Sequence, residues 1–197
     1  AVTTGNYNTA VGFQSGKSIT TGIQNTLIGG LAGDALTDAD FNVAVGLASL
    51  SADRKGNKST AIGVGALEVQ NFATSTDSLN TAVGYKAGAS VQTGVENTLI
   101  GENAGFGITT GIQNTAIGRN ALSAIATTAS NTALGQGAGR LITAGQKNTI
   151  IGRYNGNQDG LDIRTSDNNI VLSDGDGNPR GKHNGTTWRW SANAYTT

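Results

Sequence analysis

A short signature, Asn-Thr-(Ala/Leu)-(Val/Ile)-Gly, returns along most of this chain at a fixed interval, and no other feature restricts the fold as strongly. Its first position is Asn8, Asn25, Asn42, Ser59, Asn80, Asn97, Asn114, Asn131 and Asn148. Each step is 17 residues except Ser59 to Asn80, which is 21. Four positions on, glycine stands in every repeat, from Gly12 and Gly29 through to Gly135 and Gly152. A unit of this size cannot enclose a core alone, so successive units must stack and share one.

Each unit reads as β structure. The third signature position (Ala10, Leu27, Ala44, Ala61, Ala82, Leu99, Ala116, Ala133, Ile150) and the fourth (Val11, Ile28, Val45, Ile62, Val83, Ile100, Ile117, Leu134, Ile151) are both apolar throughout. Neighbouring side chains on a strand point to opposite faces. One face therefore fills the coil, and the other needs cover from outside it. A second short strand is expected after the invariant glycine, which would supply a positive φ or a close backbone approach at a corner. A helix is excluded, because glycine inside one costs about 1 kcal/mol each time. Stacking aligns the asparagines and threonines into columns, and an asparagine column can hydrogen-bond along its length.

Composition narrows the class. With 30 glycines, one proline and 5% aromatic residues, the chain lacks the large side chains of an ordinary globular core. Formal net charge is zero and no basic patch stands out, so no nucleic-acid partner is expected. There is no cysteine, hence no disulfide or thiolate metal site. No apolar run is long enough for a membrane-spanning helix, and no membrane insertion is expected. The chain opens on Ala1 and reads as processed or excised from a longer protein. Two or three bulky apolar side chains per coil make a thin core against the entropy of ordering 17 residues, so sister chains are expected to supply the missing burial.

The repeats, as in Asn8-Thr9-Ala10-Val11-Gly12 and Asn114-Thr115-Ala116-Ile117-Gly118, resemble those of bacteriophage tail-fibre proteins. They are similar also to the head repeats of trimeric autotransporter adhesins, which form trimeric parallel β-rolls. The resemblance covers about residues 5–156; it departs in its longer period and in using Thr where the adhesins use Ser. It implies an all-β fold: a homotrimeric parallel β-solenoid (β-roll) of 17-residue coils with a small antiparallel C-terminal cap or tip. The expected division is a nine-repeat shaft over 1–156 and a β-meander over 157–197.

In that tail, residues 169–173, the turn at 174–178 and the Asn184-Gly185 pair mark the meander, since Asn-Gly favours a tight hairpin. The segment from Asn168 to Arg180 also resembles the distal parts of tail fibres, which are often followed by a self-cleaving chaperone domain; such a domain is expected to have been removed here. Lys182, His183, Trp188, Arg189 and Trp190 cluster at this end and are the candidate receptor-binding residues. Trp188 and Trp190 share a strand face and offer either a platform for a sugar ring or a plug for the solenoid end. Asp174, Asp176 and Asn178 have the opening spacing of a calcium loop, but Gly185 stands where the closing Glu belongs, so a polar turn is the plainer reading. His183 is the sole histidine, which rules out a two-histidine metal site within one chain, and a solvated turn residue is expected. The four residues added around 68–78 are expected to be a surface loop. No metal, cofactor or catalytic residue is expected: no nucleophile elbow, phosphate loop or carboxylate pair stands out.

The function so implied is a structural and adhesive segment of a phage tail fibre, residing in the virion. Its partners would be itself, other tail proteins and a host-cell surface glycan or protein. Two alternatives share the architecture: the head of a bacterial trimeric adhesin on a cell surface, and a purely structural extracellular filament. Ice binding by the threonine column is weaker, with one Thr per coil.

Overall fold

The computed structural model describes residues 5–190, and residues 191–197 of the expected tip lie outside them. Sixteen short strands occur among the described residues, with no helix. They are β1 (Thr9–Val11), β2 (Thr26–Ile28), β3 (Val43–Val45), β4 (Gly56–Asn57), β5 (Thr60–Ile62), β6 (Thr76–Asp77), β7 (Thr81–Val83) and β8 (Thr98–Ile100). There follow β9 (Thr115–Ile117), β10 (Thr132–Leu134), β11 (Thr149–Ile151), β12 (Asn157–Gln158), β13 (Leu161–Asp162), β14 (Ile170–Ser173), β15 (Pro179–His183) and β16 (Trp188–Trp190). The signature strands stack in parallel and in register, Thr on Thr save for Val43, from β1 to β11. The chain is thus a β-solenoid.

Each regular coil carries one three-residue strand, not two. Beyond the invariant glycine the backbone turns repeatedly. In the sixth coil the amides of Ala104, Phe106 and Ile108 donate to the carbonyls of Gly101, Asn103 and Gly105, at 3.2, 3.2 and 3.0 Å. Between these, Asn103 and Gly105 take φ of 53° and 60°. The remaining amides reach the neighbouring coils: Asn103 donates back to Tyr85 and Gly105 forward to Ala121. Turns and inter-coil bonds together satisfy the backbone, so no second strand is needed.

Both roles expected of the invariant glycine hold. Its φ lies between 104° and 138° in all nine repeats. The coils also approach so closely there that a Cβ at Gly118 would sit 2.5 Å from the Gly135 carbonyl oxygen.

The asparagines face inward and the threonines outward. From Asn25 to Asn148 the asparagine column is buried. Each side chain does two things. Asn97 Nδ2 closes its own coil by donating to the Gly111 carbonyl at 2.9 Å. Asn97 Oδ1 accepts from the backbone amide and Nδ2 of Asn114 in the next coil, at 3.0 and 3.2 Å. The core combines the third-position column with Ala and Leu from the turns, as at Ala104 and Leu122. A further column, Ile19, Leu36, Val91, Ile108, Ile125 and Ile142, is fully buried.

The loop added near residues 68–78 is partly internal. Ser59 stands where the column requires Asn, and Gln70 bridges the gap. Its Nε2 donates to Ser59 Oγ at 2.9 Å and to buried Asp53 at 2.6 Å, while its Oε1 accepts from Asn80 at 2.8 Å. Phe72 is buried beside it, and β6 pairs with β4. The outer part of the insertion, residues 73–75, is exposed as expected.

The stack continues past residue 156. β14 pairs in parallel with β11, and Asn169 extends the column by donating its amide to Asn148 Oδ1 at 2.9 Å. Ten strands stacked about 4.8 Å apart make a rod of roughly 43 Å. The coil between Asn148 and Asn169 is 21 residues long, and its extra length forms the β12–β13 hairpin. Buried Tyr154 anchors that hairpin by donating its hydroxyl to the Leu161 carbonyl at 2.7 Å. Burial pushes the Tyr154 phenol well above its ordinary pKa, so it keeps its proton. The antiparallel pairs β14–β15 and β15–β16 then complete the sheet, as the meander reading expects.

Candidate functional site

The five tip residues fall on the β15–β16 hairpin. Its loop spans residues 184–187, longer than the two-residue Asn-Gly turn the sequence favours, because Asn184 Oδ1 accepts from the amides of Thr186 and Thr187 at 3.3 and 3.1 Å. Pairing sets His183 opposite Trp188, Lys182 opposite Arg189 and Gly181 opposite Trp190. Alternation gives the hairpin an aromatic face and a cationic face. The Trp188 and Trp190 rings stack at 5.5 Å between centroids with 9° between planes. His183 leans on Trp188 at 5.2 Å and 51°. His183 is therefore a half-buried strand residue in an aromatic row, and the solvated-turn reading is corrected.

The tryptophans remain 47% and 61% exposed, so among the described residues they plug nothing. Glycine at 181 is what lets Trp190 lie across the sheet: a Cβ there would come within 2.6 Å of the indole ring. Lys182 and Arg189 line an open groove of about 470 Å3 with Leu161 and Asp159, and the edge of Trp190 reaches it. Neither cation is in an ion pair among the described residues. The structure thus brings together all five residues proposed from sequence, in two faces of one hairpin.

The segment 174–178 is a polar turn. Asp174 Oδ1 accepts from the amides of Asp176 and Asn178 at 3.0 and 2.9 Å, and Oδ2 accepts from Arg180 Nε at 2.9 Å. Partial burial would raise the Asp174 pKa, but the hydrogen bonds from Arg180 and Asn178 outweigh it and hold the carboxyl at about 2. No cluster of potential metal ligands occurs among the described residues.

Two further surfaces lie along the shaft, the first of them expected from the doubly apolar strand. Along the shaft, the fourth signature position forms an outward apolar column; Val11, Ile28, Ile62, Ile100, Leu134 and Ile151 are between 37% and 57% exposed. Near its C-terminal end, Arg119, Arg140 and Arg153 converge on a second groove of about 440 Å3. No basic patch stands out along the sequence; the stacking of coils is what brings these three arginines together. The clue was the spacing: Arg119 and Arg153 each follow an invariant glycine, two coils apart.

Compared with known proteins, the chain matches no family model, no curated protein and no solved structure.

Proposed function

We propose that this chain is a structural and adhesive segment of a phage tail fibre, in which three copies pack along the shaft and present the β15–β16 hairpins to a host-cell surface. The observation that carries this reading is the outward Val/Ile/Leu column. It runs in register along the shaft, yet in a single chain it is left open to water. Monomeric proteins rarely keep long contiguous apolar surface exposed, and such surface marks an interaction site. Packing the columns of sister chains against one another removes it from water and supplements a narrow core.

The attachment half of the proposal rests on the tip. Stacked, half-exposed indoles are suited to the apolar face of a sugar, and Lys182 and Arg189 to its charged or hydroxyl substituents. Repetition of the tip around a common axis would turn weak single contacts into avid binding.

The test is competition. Purified chain added to susceptible bacteria should block adsorption of the phage from which it derives. A variant carrying Trp188→Ala and Trp190→Ala should not, with an unchanged melting temperature. Failure of the intact chain to bind any bacterial surface would leave the filament without an adhesive role.

A further inference from the structure

The groove around Arg119, Arg140 and Arg153 lies on the side of the shaft and shares no lining residue with the groove at the tip. Its lining joins coils that are distant in sequence. Arg119 and Arg153 occupy equivalent positions two coils apart, roughly 10 Å at the usual strand spacing. Arg140 enters from the turn of the coil between them. All three are exposed, and none is in an ion pair among the described residues. One carboxylate, Asp176, shares the wall, so the groove holds three positive charges against one negative in a chain whose formal net charge is zero.

The rest of the wall is amide: Asn120, Asn155 and Gln158 among others, with almost no apolar surface. Gln158 is held in place by donating to the Asp176 carbonyl at 3.0 Å. Guanidinium forks match carboxylate and phosphate oxygens in paired hydrogen bonds. Side-chain amides both donate and accept, as sugar hydroxyls require. No aromatic ring is present on which a nucleic-acid base could stack. The volume falls in the range of small-ligand sites and is too small for a duplex.

We infer that this groove binds an acidic oligosaccharide, with Arg119 and Arg153 holding successive carboxylate or phosphate groups and the amides reading its hydroxyls. The inference rests on the attachment reading and names its ligand class: a charged surface glycan, engaged from the shaft as well as at the tip.

The test uses the full chain on a panel of carboxylated and phosphorylated bacterial oligosaccharides, each beside its neutral analogue. Binding should be confined to acidic members. It should weaken at least about tenfold in an Arg119→Gln, Arg153→Gln variant, since losing a charged hydrogen bond is an effect of that size. Arg54→Gln, an exposed arginine elsewhere on the shaft, should leave it unchanged. Equal binding of neutral analogues, no binding of any acidic member, or equal retention of duplex DNA would overturn the assignment. A change in molecular mass in the double variant without saccharide binding would assign the arginines to contact between copies and overturn it likewise. Adsorption of the double variant to cells separates the two claims. Full adsorption with a silent panel removes the groove and leaves attachment standing. A positive panel with no adsorption by the intact chain does the reverse.

Discussion

Leu99 occupies the space that a side chain at Gly105 would need: a Cβ there would lie 2.5 Å from Leu99 Cδ2. The same exchange of large for small recurs along the solenoid. Leu27 is matched with Gly33, whereas Ala116 is matched with Leu122, which stays fully buried at a φ of 47°. Each of these coils thus fills one interior site with a single Leu taken from either of two positions.

This complementarity predicts strong coupling. Leu99→Ala should cost about 2–5 kcal/mol as a cavity. Gly105→Leu alone should cost about as much, through overpacking and a positive φ. The double variant rebuilds the arrangement of the seventh coil and should recover at least half of the summed loss, measured by urea denaturation. Additive losses would contradict the packing account.

The asparagine column makes a second prediction. Asn97→Ala removes the acceptor for two groups on Asn114 and the donor to Gly111, all buried. Leaving such groups unsatisfied costs about 1–3 kcal/mol each, so a loss of about 3 kcal/mol or more is expected. Asn8→Ala, at the less buried end of the column, should cost under half as much.

Gln70 and Asp53 interrupt the buried column of Ile19, Leu36 and Val91. Gln70→Leu should be strongly destabilising despite restoring an apolar residue, because it strips Asp53 of its 2.6 Å donor and leaves Asn80 without Oε1. Changing both Asp53 and Gln70 to Leu also takes away the acceptor of the Gly56 and Phe72 amides, at 3.0 and 3.3 Å, and should be more harmful still, as thermal melts would show.

How legible was this in the sequence? The strands of the signature from β1 to β11 and the glycine corners follow directly from it, because alternation and close coil approach leave few other choices for those residues. The absent second strand was hidden: residues such as Asn103, Lys86 and Leu122 adopt positive φ without being glycine, so the turns carry no composition signal. The column from Ile19 to Ile142 keeps the repeat spacing but is broken by Asp53 and Gln70, which read as surface residues until their mutual hydrogen bond is seen. The tenth rung was masked because Ile170 and Ser173 replace the usual Thr and Gly. The tip residues were legible as neighbours along a hairpin, while the arginine groove needed the stacking of coils to bring its members together.

Acid should loosen the C-terminal cap. Hydrogen bonds from Arg164 hold the Asp162 carboxyl at about 2. Asp174, despite partial burial that opposes its ionisation, is held at the same value by Arg180 and Asn178, against an ordinary 3.8. A carboxyl depressed in the folded state contributes stability that is complete above its unfolded pKa and lost as pH falls through its folded one. Both groups are at the surface, so the effect is modest and screened by salt. Fluorescence of Trp188 and Trp190, the only tryptophans, should therefore shift between about pH 4 and about pH 2, before the far-ultraviolet signal of the shaft is lost. Asp162→Asn with Asp174→Asn should flatten that shift; an unaltered curve would contradict it.

The central claim is that the outward column is covered by sister chains. Its most direct test is the mass of the purified chain by light scattering over a range of concentrations, beside a variant carrying Ile62→Lys and Ile100→Lys. Both side chains are partly exposed in the single chain, so their replacement should leave the individual coil folded while burying charge in any shared interface. The account predicts three times the 19.9 kDa chain mass for the parent and dissociation of the variant. A parent that stays folded at 19.9 kDa at every concentration would contradict it.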